Sequence, residues 1–183
     1  MTEISFTKLS SHHLHLLLKW LEAPHVKAWW DQDVVYNETL VKEKFGKNID
    51  NVTTDNGLTI AYIILCDNNK IGYIQYYDAA SWLIANHVEF DPVTKIIGLD
   101  LFIGEEDYYD VGLGSLIIDK FYQRFIKPSA CMVDPSRSNI RAIQAYGKAG
   151  FKLYVEDNNI CWMMKDWKNE GLINANQFRT KAM

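Results

Sequence analysis

Ile96-Ile97-Gly98-Leu99-Asp100-Leu101-Phe102-Ile103, closed by Gly104, is apolar and β-branched enough to be a buried strand with one carboxylate set into it. Beyond the acidic turn Glu105 to Asp110, Val111-Gly112-Leu113-Gly114-Ser115 opens a helix whose period is marked by Leu116, Ile117, Phe121 and Phe125. A glycine turn at a helix start leaves backbone N–H groups unpaired at the positive end of the helix dipole, so a diphosphate can be held there by main chain alone. Many loops use glycine merely to turn, so the motif gains its specificity only from the next segment. Cys131-Met132-Val133-Asp134-Pro135 reads as a short strand closing at proline, and the chain from Ser136 to Phe151 reads as a capped helix stopped by Gly150. Asn139, Ala142 and Tyr146 fall on one face of that helix.

Working outward, Ile4-Ser5-Phe6-Thr7 reads as an opening strand, and Ser10 or Ser11 caps a helix through Leu14, Leu17, Leu18 and Leu21 that ends by Pro24. A helix is predicted from about Asn37 to Lys47, then a polar surface loop from Asn48 to Gly57. Leu58 to Cys66 and Lys70 to Tyr77 form a hairpin around Asp67-Asn68-Asn69. A variable stretch from Asp78 to Thr94 precedes the Asp100 strand. Phe151 to Glu156 and Ile160 to Lys165 form a closing hairpin around Asp157-Asn158-Asn159. The order β-α-α-β-β-β-α-β-α-β-β predicts a mixed α/β (α+β) sandwich: one domain over 1–167, followed by a loosely attached tail, 168–183.

The net charge of −4 over 183 residues comes without any Lys/Arg run, which argues against nucleic acid and mildly favours a cationic small molecule. There is no run of eighteen apolar residues and no basic-then-apolar leader after Met1, so the expectation is a soluble, cytoplasmic protein that does not engage a membrane. Cys66, Cys131 and Cys161 are widely spaced in apolar runs and are expected to be buried, reduced thiols. His12, His13 and His15 lack a partner at ligand spacing, so no metal is expected.

The run Gly98 to Glu105, followed by Asp134-Pro135-Ser136-x-Ser138-Asn139-x-Arg141-Ala142-Ile143-x-x-Tyr146-x-Lys148-Ala149-Gly150-Phe151, resembles the acetyl-CoA half of GCN5-related N-acetyltransferases (GNAT), and within them the aminoglycoside 6′-N-acetyltransferases. The resemblance implies the GNAT fold, a mixed, mostly antiparallel central sheet with helices on both faces, and acetyl-CoA as cosubstrate. It also implies that backbone amides of Val111, Gly112, Leu113, Gly114 and Ser115 cradle the pyrophosphate. The arm would run along Phe102 and Ile103, Asn139 would hydrogen-bond it, and the Tyr146 hydroxyl would protonate the leaving thiolate. One departure stands out: relatives carry Gly-Lys before Gly-Leu-Gly, whereas this chain has Tyr109-Asp110-Val111, which puts a carboxylate beside the expected diphosphate.

Transfer to an amine needs a place for the ammonium, a base for its proton and polarisation of the thioester carbonyl. Asp100, a charge inside an apolar strand, needs either a polar cleft or a structural partner. The resemblance puts it in the acceptor cleft as the base. Asp134 reads equally as a turn residue or, by resemblance, as a contact for the amine. Asp78, Glu89 and Asp91 fall in the variable stretch, where they would line the acceptor mouth or simply face solvent. Trp30, Tyr77 and Trp82 are assigned to the cleft by their places in related sequences, and Tyr73 to the core. The expected partner is a small-molecule amine and the expected assembly a monomer or homodimer. Alternatives left open are a hydroxylysine-type siderophore precursor as acceptor, although those relatives carry histidine at position 100, a protein amine, and a non-catalytic coenzyme-binding module.

Overall fold

The computed structural model describes residues 2–49, 58–86, 88 and 95–166, and the predicted tail 168–183 lies outside them. Seven strands form one sheet: β1 (Ile4–Lys8), β2 (Thr59–Cys66), β3 (Asn69–Asp78), β4 (Ile96–Ile103), β5 (Ala130–Val133), β6 (Lys152–Glu156) and β7 (Cys161–Lys165), in the order β1-β2-β3-β4-β5-β7-β6. The helices are α1 (Leu14–Leu21), α2 (Pro24–Lys27), α3 (Glu38–Ile49), α4 (Ala80–Ala85), α5 (Leu113–Phe121) and α6 (Ile140–Lys148). The β2–β3 hairpin turns on Asp67 and Asn68, at φ 46° and 67°, the left-handed pair that a two-residue turn matching strand twist requires. In the closing hairpin, Asp157 accepts from the Asn159 and Ile160 amides at 2.7 and 2.8 Å.

Every strand pair is antiparallel except β4–β5. That parallel pair runs only from Ile96, Ile97 and Gly98 to Ala130, Cys131 and Met132. Thereafter β5 stops before Asp134-Pro135, where proline has no N–H to continue a ladder, while β4 runs on to Ile103. The sheet therefore splits down its middle. Gly104 N–H donates to Ile71 O at 2.7 Å, so strand alternation turns the main-chain groups of Phe102 and Asp100 toward β3 and those of Leu99, Leu101 and Ile103 into the split.

Register also separates the faces. Tyr73 pairs with Phe102, Gln75 with Asp100 and Tyr77 with Gly98, placing Tyr73, Gln75, Tyr77, Asp100 and Phe102 on one face of the sheet. There Leu17, Trp20, Val41 and Phe45 of α1 and α3 pack on Tyr73 and Phe102. Leu99 and Ile97 face the other way, onto Ile117, Phe121 and Tyr146 of α5 and α6. A third cluster joins Leu83 of α4 to Met132 and Trp162. All three cysteines are buried and unbridged. Among the described residues, no helix is long and apolar enough to cross a membrane.

Two short helices have no counterpart in the sequence pattern. Pro24, expected only to end α1, also starts α2 from its first turn, where a missing N–H costs nothing. Asp78 accepts from the Ala80 amide at 3.0 Å and so starts α4 inside the stretch read as variable. The last helix begins at Ile140 rather than near Ser136, because Asn139 caps it by accepting from the Ala142 amide at 3.1 Å.

Candidate active site

The split between β4 and β5 opens into a cavity of about 430 Å³. One end is the start of α5. Gly112 sits at φ 84°, a left-handed cap that an L side chain resists, with open space where a Cβ would stand. Gly114 has a different role: a Cβ there would meet the Ala145 Cβ at 3.3 Å, so the glycine sets the close approach of α5 and α6. The glycines of the motif thus do distinct work, one shaping the turn and one closing the helix pair. Leu113, Gly114 and Ser115 line the cavity with the first turn's N–H groups, which have no acceptor within the helix. Val111, expected beside them, is largely exposed.

Asp100 lines the middle of the cavity. Gln75 Nε2 donates to its Oδ2 at 2.8 Å. Burial pushes its carboxyl up to about 7, the neighbouring Asp134 charge adding to the effect, while hydrogen bonds from Gln75 and Tyr77 oppose it. Burial also raises Asp134. The Tyr146 phenol, buried on the α6 side, is held well above its ordinary value by burial and then by the charges of Asp100 and Asp134, so it keeps its proton. A carboxyl poised near neutrality and a phenol that stays protonated therefore border one cavity.

Trp30 and Phe102 form an edge-to-face wall, ring centroids 5.0 Å apart. Tyr77 lies behind Asp100, its ring over Gly98. Trp82 is placed elsewhere: it packs on Trp162, centroids 4.4 Å apart, and borders a small recess behind Asp134 rather than the main cavity. Ile103 lines the cavity, but His25 Nε2 donates to its carbonyl at 3.0 Å. The oxygen of the Asn139 side chain is committed to the α6 cap, which leaves any contact with a ligand arm to its Nδ2 hydrogens. Asp91 and Glu89 lie outside the described residues, and Asp78 is exposed, its carboxylate accepting from the Ala80 amide.

Four residues at the mouth and floor are given no role by the sequence pattern. Arg141 Nε stands 3.2 Å from Asp110 Oδ1, and its guanidinium lies 4.3 Å from the Tyr109 ring centroid. Tyr109 in turn packs on His25 at 4.6 Å, so a chain of contacts links α2 to α6 across the mouth. Gln75 is the fourth. Its signal is register, and β3 and β4 are joined by a long connection rather than a tight hairpin, so no turn fixes which residue faces Asp100.

A sheet split beside a helix start, with a near-neutral carboxyl and a protonated phenol bordering one cavity, is the arrangement of a group-transfer protein. Residues 10–156 match the family described as "Acetyltransferase (GNAT) domain", and the chain belongs to that family of N-acetyltransferases. It is 29% identical over 158 residues to aminoglycoside N(6′)-acetyltransferase type 1 of Klebsiella pneumoniae, covering 81% of this chain and 74% of that protein. The same protein from Serratia marcescens matches equally. The fold is similar to AAC(6′)-Ib in complex with coenzyme A and kanamycin, at 25% identity and a TM-score of 0.73, with 91% of this chain and 96% of that one aligned. A complex of AAC(6′)-Ib with paromomycin and acetyl-CoA aligns over 98% of this chain and 99% of that one, with a TM-score of 0.74.

Proposed function

We propose that this chain transfers the acetyl group of acetyl-CoA to a primary amine of a small polycationic acceptor, the 6′-amine of aminoglycosides being the specific reading. The observation that carries it is the placement of Asp100, half-buried in the split of the sheet, with the α5 N-terminus lining the same cavity. The family and the aminoglycoside-modifying relatives support the acceptor class.

The residues fit the coenzyme. The first turn of α5 offers backbone N–H groups to a diphosphate, and the edge of β4 facing the split offers main-chain groups to an extended arm. Acetyl-CoA supplies an activated acyl group on a thiol leaving group. The chain's own residues do the rest. Asp100 and Asp134 attract the ammonium on the α1–α3 face, and Trp30 offers an aromatic wall to the ring that carries it. Asp100, with its carboxyl near 7, takes one proton from the ammonium, directly or through water, so that the lone pair of the neutral amine attacks the thioester carbon. A cleft-facing N–H of β4, that of Leu101 or Ile103, polarises the acyl oxygen. As the C–S bond breaks, Tyr146 gives its proton to the departing sulfur, and the proton shed by the acylated nitrogen restores the phenol through solvent, so charge is conserved without a covalent enzyme intermediate.

The test is thiol release from acetyl-CoA with kanamycin, hydroxylysine and a lysine peptide as acceptors, followed by mass spectrometry of the product. Monoacetylated kanamycin bearing the group at the 6′-nitrogen is the expected result. Turnover with the peptide or hydroxylysine alone would reject the acceptor assigned here, and no thiol release with any amine would reject the reaction.

A further inference from the structure

Behind Asp100 lies a chain of side-chain hydrogen bonds that leads back into the core. Gln75 Nε2 donates to Asp100 Oδ2 at 2.8 Å. The other end of the same amide, Gln75 Oε1, accepts from the Tyr73 hydroxyl at 2.6 Å and from Asn48 Nδ2 at 3.4 Å. Asn48 Nδ2 also donates to the Tyr73 oxygen, at 3.1 Å. Tyr73 is fully buried, stacked on Phe102 with centroids 5.5 Å apart and edge-on to Phe45 at the same distance.

From this arrangement we infer that Gln75 is the positioning residue of the catalytic carboxylate, and that Asn48 and Tyr73 fix which end of the Gln75 amide faces it. The inference rests on the reading of Asp100 as the base for the amine. A glutamine amide has a donor end and an acceptor end of nearly equal shape, so an isolated Gln75 would present either to Asp100. Reversal here would set the Gln75 NH2 against the Asn48 NH2, leave the Tyr73 proton without its acceptor in a buried site, and turn a carbonyl oxygen on the carboxylate. With Asn48 as it stands, two donors on Oε1 therefore oppose the reversal of Gln75.

The consequence is chemical. Held this way, Gln75 gives Asp100 a hydrogen bond that favours the ionised form and aims one lone pair of Oδ2 away from the cleft. The lone pairs that Gln75 and Tyr77 do not use are left for the amine. The titratable groups whose charge is felt between them and Asp100 are Tyr73 and Tyr77 on β3, on its own face, Asp134 beyond β5, and Cys131 on β5 and Tyr146 on α6 across the sheet. Of these, Asp134 raises Asp100 and Tyr77 works with Gln75 in the opposite sense. Removing Gln75 leaves burial and Asp134 opposed by Tyr77 alone.

The test is the titration of the Asp100 carboxyl carbon by NMR, followed in parallel with kcat against pH, for the parent, Gln75→Met and Tyr73→Phe. Gln75→Met is expected to move the Asp100 midpoint, and with it the acid limb of kcat, upward by about one pH unit, while KM for acetyl-CoA stays as in the parent. Tyr73→Phe, which keeps the ring and its stacking, is expected to shift both in the same direction by less. An unmoved midpoint in Gln75→Met overturns the positioning role, and an unmoved midpoint in Tyr73→Phe overturns the lock; should Gln75→Met fail to fold, Tyr73→Phe alone decides the inference. The NMR midpoint is independent of turnover. Full activity in Asp100→Asn would instead remove the reading of Asp100 as base, whatever the titrations show.

Discussion

Arg141 and Asp110 face each other at 3.2 Å across the mouth of the cavity, so the carboxylate that looked misplaced beside a phosphate site is paired with a cation from the opposite helix. Both side chains are roughly half exposed, so the pair contributes little to stability. It matters for binding, because an incoming diphosphate competes with Asp110 for Arg141. Asp110→Asn keeps the left-handed backbone, φ 63°, which asparagine tolerates, and frees the guanidinium. KM for acetyl-CoA is expected to fall by roughly fivefold at low salt, and by less at high salt, since about 1 kcal/mol is the scale of such a contact in water. An unchanged KM at both salt concentrations would show that Arg141 takes no part in coenzyme binding.

Gly98 sits where β4 and β5 part, directly beneath the Tyr77 ring: a Cβ at this position would stand 2.5 Å from the Tyr77 Cε2 carbon. Alanine there must displace the ring and so withdraw the Tyr77 hydroxyl from Asp100. A hydrogen bond to a charged group contributes about 1.5–3 kcal/mol, so Gly98→Ala is expected to lower kcat by about tenfold or more. KM for acetyl-CoA, set on the other face, should hold. A parent-like kcat with a raised coenzyme KM would place Tyr77 outside the chemistry.

The Asp100 carboxyl, lifted to about 7 chiefly by burial, binds its proton more tightly in the folded chain than in the unfolded one. Its contribution to stability is therefore fully present below the ordinary aspartate range and lost as pH rises through 7. Asp134, raised in the same sense by burial, steepens the fall. Asp100→Asn should flatten the loss of Tm between pH 5 and pH 8 and exceed the parent at the alkaline end, while lowering kcat by roughly 10²-fold or more. Parallel Tm curves for parent and variant would mean that Asp100 is not the group under strain.

Tyr146→Phe removes the phenolic proton proposed to serve the leaving thiolate while leaving a ring to pack on Phe151, 5.5 Å away. The expected loss is roughly 10²-fold in kcat with acetyl-CoA. An acetyl thioester of a more acidic thiol, which departs without protonation, should narrow the gap between variant and parent. Equal losses with both thioesters would make Tyr146 a packing residue.

Much of this architecture is legible in local sequence. The strand at Asp100, the glycine start of α5, the capped helix after Asp134-Pro135 and both hairpins are written in period, turn residues and caps that act within a few residues. The site is legible only in part. Asp100 is visible as a charge in an apolar strand, and Trp30, placed by resemblance, lines the same cavity, whereas Gln75 and Arg141 make contacts across elements whose mutual register no local signal encodes. Trp82 shows the same limit from the other direction: an aromatic near a cleft in sequence found a better partner in Trp162, brought to it by strand order rather than by neighbours in the chain.

The most direct test of the account is a crystal structure of the ternary complex with coenzyme A and kanamycin. The diphosphate is expected on the amides around Leu113, the 6′-nitrogen within hydrogen-bonding reach of the Asp100 carboxylate, and the sulfur beside the Tyr146 hydroxyl. Coenzyme bound away from the split between β4 and β5, or an aminoglycoside held with its 6′-nitrogen far from Asp100, would contradict it.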